Sequence, residues 1–152
     1  MTTVRQLLDQ KGRTIWSIRP DTTVFDALAE MAEKDIGSLL VMDGQELVGI
    51  ITERHYARSV VLKGKTSPAT LVRDIMERRV IIARPEQSVE QCMALISEKH
   101  VRHLPVLDGE KPIGMVSIGD LVKSMVSDQK FMVDQLQNYI HGAQAPALAS
   151  IA

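Results

Sequence analysis

The segment Gly114-Met115-Val116-Ser117-Ile118-Gly119-Asp120 decides the fold of this chain, because it predicts a buried strand that leads directly into a helix. Ser117 and Asp120 are residue types whose side chains accept hydrogen bonds from the backbone N–H groups at a helix N-terminus. A similar segment, Gly49-Ile50-Ile51-Thr52-Glu53-Arg54-His55, lies 65 positions earlier. The two segments end differently, with Asp120 in one and His55 in the other, and this difference carries much of what the sequence indicates about function.

The match extends beyond these segments, because the surrounding region is duplicated at the same offset without a gap. Arg19-Pro20 falls on Arg84-Pro85, and the turn Asp43-Gly44 falls on Asp108-Gly109. In each copy the pattern predicts a strand, a helix, two strands joined by a turn, and a second helix. One copy is too small to bury both faces of its own sheet. We therefore expect an α/β (α+β) fold in which two βαββα repeats pack sheet to sheet about a pseudo-twofold axis, with a cleft on each side.

The predicted elements divide the chain into four parts. Residues 1–65 comprise an N-terminal helix and the first repeat, and residues 66–127 comprise a linker and the second repeat. The apolar pattern then continues and predicts a C-terminal helix over 128–141 that ends near Gly142. Residues 142–152, rich in alanine, are predicted to form a disordered tail. Within the repeats, the apolar runs 15–18 and 80–83 predict strands, and 53–62 predicts a helix.

Composition places the chain among ordinary globular proteins. Of its 152 residues, 45% are hydrophobic and 24% are charged, and the formal net charge is −1. This balance gives no reason to expect a nucleic acid or an anionic membrane as a partner. Cys92 is the only cysteine, so no disulfide can form within the chain, and the N-terminus has no apolar signal core. The sequence therefore predicts a cytoplasmic protein with no membrane partner.

These features resemble the tandem CBS domain, the regulatory module named after cystathionine β-synthase. The resemblance covers roughly residues 13–125, and the stretch 53–65 also looks like stand-alone bacterial two-repeat proteins of signal transduction. It rests on the G-h-h-[ST]-x-x-[DH] segments (h, hydrophobic) at 49–55 and 114–120, the two Asp-Gly turns, the run Val101-Arg102-His103-Leu104-Pro105-Val106, and the helices after Thr22 and Ser88. The resemblance implies a non-catalytic regulatory or sensor module whose clefts hold adenosine-containing ligands such as AMP, ADP, ATP, NAD(H) or S-adenosylmethionine.

By this resemblance, Asp120 is the first candidate for ligand contact. A carboxylate at a helix start can accept hydrogen bonds from both hydroxyls of a ribose, or it can cap only its own helix. Ser117 either bonds a phosphate or ribose oxygen or is satisfied at the strand end, and Trp16 either flanks the adenine or belongs to the core or an interface. Carried over by position, the ligand-binding residues of this Asp120 cleft are Thr14, Ile15, Trp16, Gly37, Ser38, Leu39, Leu40, Ser117, Gly119 and Asp120.

The second cleft departs from the family pattern, because His55 stands at the position equivalent to Asp120. An imidazole has no fixed negative charge and is a poorer acceptor for a diol, but it can donate to a phosphate. Arg102 and His103 are placed to meet phosphates, although Arg102 is alternatively a solvated surface residue. We expect this cleft to bind more weakly than the Asp120 cleft, or to bind a different or more phosphorylated ligand. The predicted residues of this His55 cleft are Thr52, Arg54, His55, Met76, Arg79, Val80, Ile81, Arg102, His103, Leu104 and Pro105.

Other functions find less support in the sequence. Positions 54–84 hold eight Lys or Arg against two acids, but with Tyr56 as their one aromatic residue and no reading motif they do not point to nucleic acid. The four histidines form no metal-ligand set, and no nucleophile motif or paired acid indicates catalysis, so an enzyme using His55 or His103 as general base ranks last. The predicted partners are an adenine nucleotide, a second copy in a homodimer and an unidentified target protein. The alternative function is a scaffold subunit with vestigial clefts that acts through dimerisation and the 121–141 helix.

Overall fold

The structure, a computed structural model, describes the backbone of residues 1–151 and the side chains of residues 1–141. Both hairpins, the helices between them and a long C-terminal helix are present, so the predicted fold class is confirmed. The strands are β1 (Ser17–Ile18), β2 (Ser38–Asp43), β3 (Glu46–Thr52), β4 (His103–Asp108) and β5 (Lys111–Ser117). The α-helices are α1 (Val4–Lys11), α2 (Val24–Lys34), α3 (Glu53–Tyr56), α4 (Val72–Ile75), α5 (Val89–Lys99) and α6 (Ile118–Ile151), with a π-helix at Ala57–Val61 and a 3₁₀ helix at Ser67–Ala69.

Each repeat is built around one antiparallel hairpin, β2–β3 in the first and β4–β5 in the second. The turn glycines Gly44 and Gly109 have φ values of 64° and 62°, a left-handed conformation that glycine adopts without steric cost. β1 lies parallel to β2 at the edge of a three-stranded sheet. In the second repeat, a single parallel bridge between Ala83 and Val106 takes the place of that strand.

The first strand of each repeat is therefore shorter than predicted. The run 15–18 reduces to the two residues of β1, and the run 80–83 reduces to the bridge at Ala83. An Arg-Pro pair follows in both places, and proline has no N–H group with which to extend a ladder. The repeat is consequently held together more by its hairpin and helices than by a regular three-stranded sheet.

The long helices of the two repeats begin at equivalent caps. Thr23 starts α2 by accepting a hydrogen bond from the backbone N–H of Asp26, at 3.2 Å. Ser88 starts α5 in the same way, with the N–H of Gln91 at 3.1 Å. Thr23 lies 65 positions before Ser88, so the two caps are equivalent in sequence as well as in structure.

The helix that precedes each repeat in sequence packs on the other repeat. Val4, Leu7 and Leu8 of α1 are buried in the core of the second repeat, with α5, β4 and β5. Val72 and Ile75 of α4 are buried in the core of the first repeat, with α2, β2 and β3. The predicted division groups the N-terminal helix with the first repeat by its place in the chain, in residues 1–65, whereas its apolar residues pack in the core of the second. The apolar faces of these short helices need a core, and the nearest one belongs to the opposite repeat.

Two equivalent glycines make room for this crossed packing. A Cβ atom added to Gly114 would lie 2.7 Å from Cδ2 of Leu8, and one added to Gly49 would lie 2.7 Å from Sδ of Met76. Both glycines therefore allow a side chain from the crossing segment to lie directly on the strand. Backbone hydrogen bonds also join each crossing segment to the repeat on which it packs, from Val89 N–H to Thr2 O at 2.9 Å and from Val72 N–H to Thr22 O at 2.8 Å.

The two helices that leave the hairpins differ in length and shape. The helix predicted over 53–62 is α-helical only in α3 and continues as the π-helix Ala57–Val61, a widening that sequence periodicity does not predict. α6 is one continuous helix that includes the predicted 128–141 extension and runs past Gly142, where its end was predicted. The tail predicted at 142–152 falls outside the described side chains. In the part of the chain that the structure describes, no helix is long and apolar enough to span a bilayer.

Candidate functional site

The two strand-to-helix segments form the same hydrogen-bonded box. In the second repeat, the N–H of Ser117 donates to Oδ2 of Asp120 at 2.9 Å, and the N–H of Asp120 donates to Oγ of Ser117 at 3.2 Å. In the first repeat, the N–H of Thr52 donates to Nδ1 of His55 at 3.0 Å, and the N–H of His55 donates to Oγ1 of Thr52 at 3.4 Å. Asp120 and His55 therefore occupy equivalent positions by geometry as well as by sequence.

Asp120 also forms an ion pair with Lys11, the last residue of α1. Nζ of Lys11 lies 2.6 Å from Oδ2 of Asp120 and donates a second hydrogen bond to the backbone O of Met115 at 2.7 Å. Partial burial disfavours ionisation of Asp120, but the hydrogen bonds from Lys11 and Ser117 outweigh it and hold the pKa below its ordinary 3.8. Asp120 is therefore a carboxylate at neutral pH.

The hydrogen bond at Nδ1 determines the tautomer of His55. A backbone N–H can only donate, so Nδ1 must present its lone pair to Thr52, and the proton of the neutral ring lies on Nε2. Burial lowers the pKa of His55 below 6.5, which the charge of Glu77 opposes and the charges of Arg54 and Arg58 reinforce. His55 is therefore a neutral hydrogen-bond donor at neutral pH.

The Asp120 cleft is a cavity of about 400 Å³ between the repeats. Six of the predicted residues line it, namely Thr14, Trp16, Gly37, Ser38, Ser117 and Asp120. Four do not: Leu39 and Leu40 are fully buried in the core, Ile15 lines a separate open groove near the Asp-Gly turns, and Gly119 is exposed outside the lining. The wall also contains residues that the sequence did not indicate, namely Lys11, Gly12, Asp35, Ile36, His103 and Met115.

The His55 cleft is a second cavity, of about 430 Å³. Eight predicted residues line it, namely Thr52, Arg54, His55, Arg79, Val80, Ile81, Arg102 and His103. Met76, Leu104 and Pro105 do not, because all three are buried, Met76 beneath Gly49. The additional lining residues are Gly37, Ile50, Glu53, Arg58, Glu77, Lys99, His100 and Val101.

The two clefts carry opposite charge. Among Lys, Arg, Asp and Glu side chains, the wall of the His55 cleft has five cations against Glu53 and Glu77. The wall of the Asp120 cleft has one cation, Lys11, against Asp35 and Asp120. Among the residues that the structure describes, none of the four arginines of the His55 cleft forms a salt bridge. The His55 cleft therefore attracts anions more strongly than the Asp120 cleft does.

The clefts lie back to back and share two residues, Gly37 and His103. The Cβ position of Gly37 is 3.8 Å from Cε1 of His103, so the imidazole packs against the backbone at the start of β2. Burial lowers the pKa of His103, which the charge of Asp120 opposes. His103 is thus a neutral side chain that forms a common wall of both cavities.

Trp16 lies at the edge of the Asp120 cleft rather than in the core. Its side chain is 42% exposed, and Nζ of Lys34 lies 4.3 Å from the ring centroid. The face of an aromatic ring in such a position can stack on a planar ligand. Throughout the described side chains, no cluster of three or more His, Cys, Asp or Glu residues is arranged to hold a metal ion.

Lys11 is the principal site residue that the sequence analysis missed. It was assigned to a helix of the first repeat, whereas α1 crosses to the second repeat and ends at the Asp120 cleft. One signal was present in the sequence. The offset of 65 aligns Lys11 with Met76, a residue that the sequence predicts for the His55 cleft.

A duplicated α/β unit that encloses a cavity on each side of a shared wall is the architecture of a paired-repeat regulatory module. The chain belongs to the CBS domain family, since the family model described as "CBS domain" matches residues 12–61 and 72–127. The family consists of regulatory modules, and this chain carries a tandem pair of them.

Known proteins agree with this assignment. The CBS domain-containing protein CBSX3, mitochondrial, of Arabidopsis thaliana is 37% identical over 151 residues, covering 93% of this chain and 73% of that protein. The structure of a signal-transduction protein with CBS domains from Burkholderia ambifaria is 53% identical, with a TM-score of 0.81, and covers 84% of this chain and 96% of that one. The CBS domain pair of protein MJ0100, crystallised with 5′-methylthioadenosine and S-adenosyl-L-methionine, is 22% identical with a TM-score of 0.75 and covers 84% and 98%.

Proposed function

We propose that this protein is a non-catalytic sensor that binds adenosine-containing ligands in its two inter-repeat clefts. The observation that carries the proposal is the repeated hydrogen-bonded box, which places Asp120 and His55 at the walls of cavities of about 400 and 430 Å³. The fold is shared with a CBS pair that was crystallised with two adenosine-containing ligands. AMP, ADP, ATP and NAD(H) are the candidate ligands.

Asp120 is the proposed ribose acceptor. Its Oδ2 atom already accepts from Lys11 and Ser117, whereas among the described residues no group donates a hydrogen bond to Oδ1. A carboxylate oxygen with unused lone pairs can accept from the vicinal hydroxyls of a ribose. The adenine would then lie toward Trp16, where backbone groups of residues 14–16 can read its edge.

The His55 cleft is proposed to take the more phosphorylated ligand. Its arginines lack salt-bridge partners in the described structure, and guanidinium groups bind phosphate through paired N–H donors. Nε2–H of His55 adds a neutral donor, but His55 provides no carboxylate for a ribose diol. We therefore assign AMP-like ligands to the Asp120 cleft and di- or triphosphates to the His55 cleft.

Signalling is proposed to follow from the position of the clefts. A ligand that contacts both repeats favours the arrangement in which they enclose it, and the population shifts accordingly. The response would pass to a target protein through a homodimer formed by α6. We place the protein in the cytoplasm, where the buried Cys92 would remain a thiol.

The test is a thermal-shift screen with AMP, ADP, ATP, NADH and S-adenosylmethionine, followed by calorimetry. The expected result is a rise in melting temperature with at least one ligand, and loss of one binding step in Asp120→Ala. Asp9→Ala is the matched control, because Asp9 pairs with Arg13 on the surface and lines neither cleft. If no adenosine-containing ligand binds, the sensor function is wrong.

The second candidate function is a scaffold that acts only through α6. The observation in its favour is the exposed apolar surface of that helix beyond Asp128, where Leu136 is 61% exposed and Tyr139 is 75% exposed. The scaffold predicts a stable oligomer without any nucleotide response, so the same thermal-shift screen separates the two functions.

A further inference from the structure

Lys11 has one unused hydrogen-bond donor beside the proposed ribose acceptor. An ammonium group carries three N–H bonds. One contacts Oδ2 of Asp120 at 2.6 Å and one contacts the backbone O of Met115 at 2.7 Å. Among the described residues, no further acceptor is hydrogen-bonded to Nζ. Lys11 lines the same cavity as Asp120, so an oxygen of a bound ligand can take the third donor.

The position of Lys11 is fixed by the core. It is the last residue of α1, and the N–H of Gly12 closes the helix on the O of Leu8 at 2.8 Å. Leu8 is fully buried and lies where a Cβ atom on Gly114 would be. The two hydrogen bonds of the ammonium then hold the end of the side chain. The ammonium of Lys11 is thus held beside Asp120 by two hydrogen bonds, although its side chain reaches the surface.

Lys11 is also the one cation among the described residues that line this cleft. Asp35 and Asp120 are the other charged residues of its wall, so without Lys11 the charged residues that line the cleft would all be acidic, and the nearest described cation would be Lys34 over the ring of Trp16. A phosphate group would then be repelled, whereas an uncharged nucleoside would not. Acceptance of a phosphate by this cleft depends on Lys11.

We propose that Lys11 contacts the ligand in the Asp120 cleft and makes this cleft prefer adenosine 5′-phosphates over adenosine. Asp120 holds the ribose, and the third N–H of Lys11 donates to an oxygen of the phosphate carried by the same sugar. The inference rests on the proposed adenosine-binding function and adds to it the residue that selects for the phosphate.

The test compares AMP and adenosine by calorimetry in the wild type, Lys11→Met and Lys11→Arg. The affinities are compared for the binding step that is lost in Asp120→Ala, because that step reports on the Asp120 cleft. Lys11→Met is expected to weaken AMP binding by about tenfold or more, the usual effect of losing a charge-assisted hydrogen bond, and to change adenosine binding by less than about threefold. Lys11→Arg keeps a cation and retains the preference for AMP.

Arg5→Met is the matched control. Arg5 is a cation of the same helix that pairs with Glu86 at 2.9 Å and lines neither cleft, so its removal leaves both affinities unchanged. Circular dichroism and the melting temperature show whether each variant is folded.

Three results would overturn the inference. Equal loss of AMP and adenosine in Lys11→Met means that Lys11 only orients Asp120, and tighter binding of both means that it blocks the ribose site. No change in either means that it does not contact the ligand. In all three cases a wild-type step that Asp120→Ala removes still upholds the sensor function. A wild type that binds neither AMP nor adenosine overturns the inference, and the sensor function is also wrong if ADP, ATP, NADH and S-adenosylmethionine give no thermal shift.

Discussion

At the scale of single residues, the two clefts differ in the charged side chains that surround two equivalent helix starts. Asp120 is paired with a cation from the crossing helix, Lys11. At the equivalent place in the first repeat, His55 lies near an acid, Glu77, which follows α4; burial lowers the pKa of the imidazole, and the charge of Glu77 only partly opposes this. Both repeats keep the hydrogen-bonded box, but a carboxylate beside a cation in one is replaced by a neutral imidazole near an acid in the other. The clefts are therefore equivalent in backbone and different in chemistry.

The substitution His55→Asp should restore a ribose acceptor in the His55 cleft. The carboxylate can accept the N–H of Thr52 as Asp120 accepts that of Ser117, and its second oxygen is then available to a diol. In an Asp120→Ala background, which isolates this cleft, AMP affinity is expected to rise about tenfold by calorimetry. His55→Asn introduces a side chain of the same shape as aspartate but without its charge, and it should give a much smaller gain. Weaker AMP binding by His55→Asp would contradict the role assigned to the carboxylate.

The stability of the protein should depend on pH through Asp120. Its pKa is lower in the folded chain than the ordinary 3.8, so its ion pair with Lys11 stabilises the fold above that pH and is lost as the pH falls through the folded value. Because both side chains are partly exposed, Asp120→Asn should cost about 1 kcal/mol at pH 7. Urea unfolding of both proteins at pH 7 and pH 3 measures the difference, which should shrink at pH 3. A difference that is the same at both pH values would show that charge is not involved.

At the scale of elements, much of the repeat could be predicted from the sequence. The offset between the two Asp-Gly turns placed both hairpins correctly, since Gly44 and Gly109 have the backbone that those turns require. The crossing of α1 could not be predicted in the same way. Periodicity shows that Val4, Leu7 and Leu8 share an apolar face, but it does not show which of two similar cores that face will join.

The residues of the candidate site could likewise be predicted only in part from the sequence. Polar or small residues at the strand entries, such as Thr14, Ser38 and Arg102, line the clefts as predicted. Leu39 and Leu104 directly follow the cleft-lining residues Ser38 and His103 in their strands and have no exposure. Carrying over whole stretches by position therefore included core residues, because these stretches continue past the cleft wall into the core.

The crossed packing predicts a specific rescue between two positions. Gly114→Ala should destabilise the protein by about 1–3 kcal/mol, because its Cβ would overlap Leu8, which is fully buried. Added to Leu8→Ala, which removes the overlapping atoms, the same change should cost much less. Chemical denaturation of the single and double variants measures the coupling.

The other repeat supplies the matched control for this rescue. Met76→Ala removes the atoms that lie over Gly49 and none that lie over Gly114, so it should not rescue Gly114→Ala. Equal effects of Leu8→Ala and Met76→Ala on the cost of Gly114→Ala would contradict the crossed arrangement.

At the scale of the whole molecule, α6 extends well beyond the fold that it completes. Leu121 and Ser124 are buried against the second repeat, whereas residues 129–141 are all exposed. One face of this exposed part is apolar at helical spacing, consisting of Met132, Val133, Leu136, Tyr139 and Ile140. An apolar face of this length on a protruding helix is typical of a helix that pairs with another.

We propose that the partner of this face is the same face of a second copy. In an antiparallel pair centred on Leu136, Met132 lies opposite Ile140 and Val133 lies opposite Tyr139 of the other copy, so the apolar positions of the two faces meet. The wild type should therefore sediment at twice its 16.9 kDa chain mass at tens of micromolar. Leu136→Glu places a charge in the middle of the apolar face and should yield a monomer. Asn138→Glu adds the same charge on the opposite face and should leave the dimer intact. A monomeric wild type, or a dimer that survives Leu136→Glu, would show that copies do not associate through this face, and signalling would then have to pass through the repeats themselves.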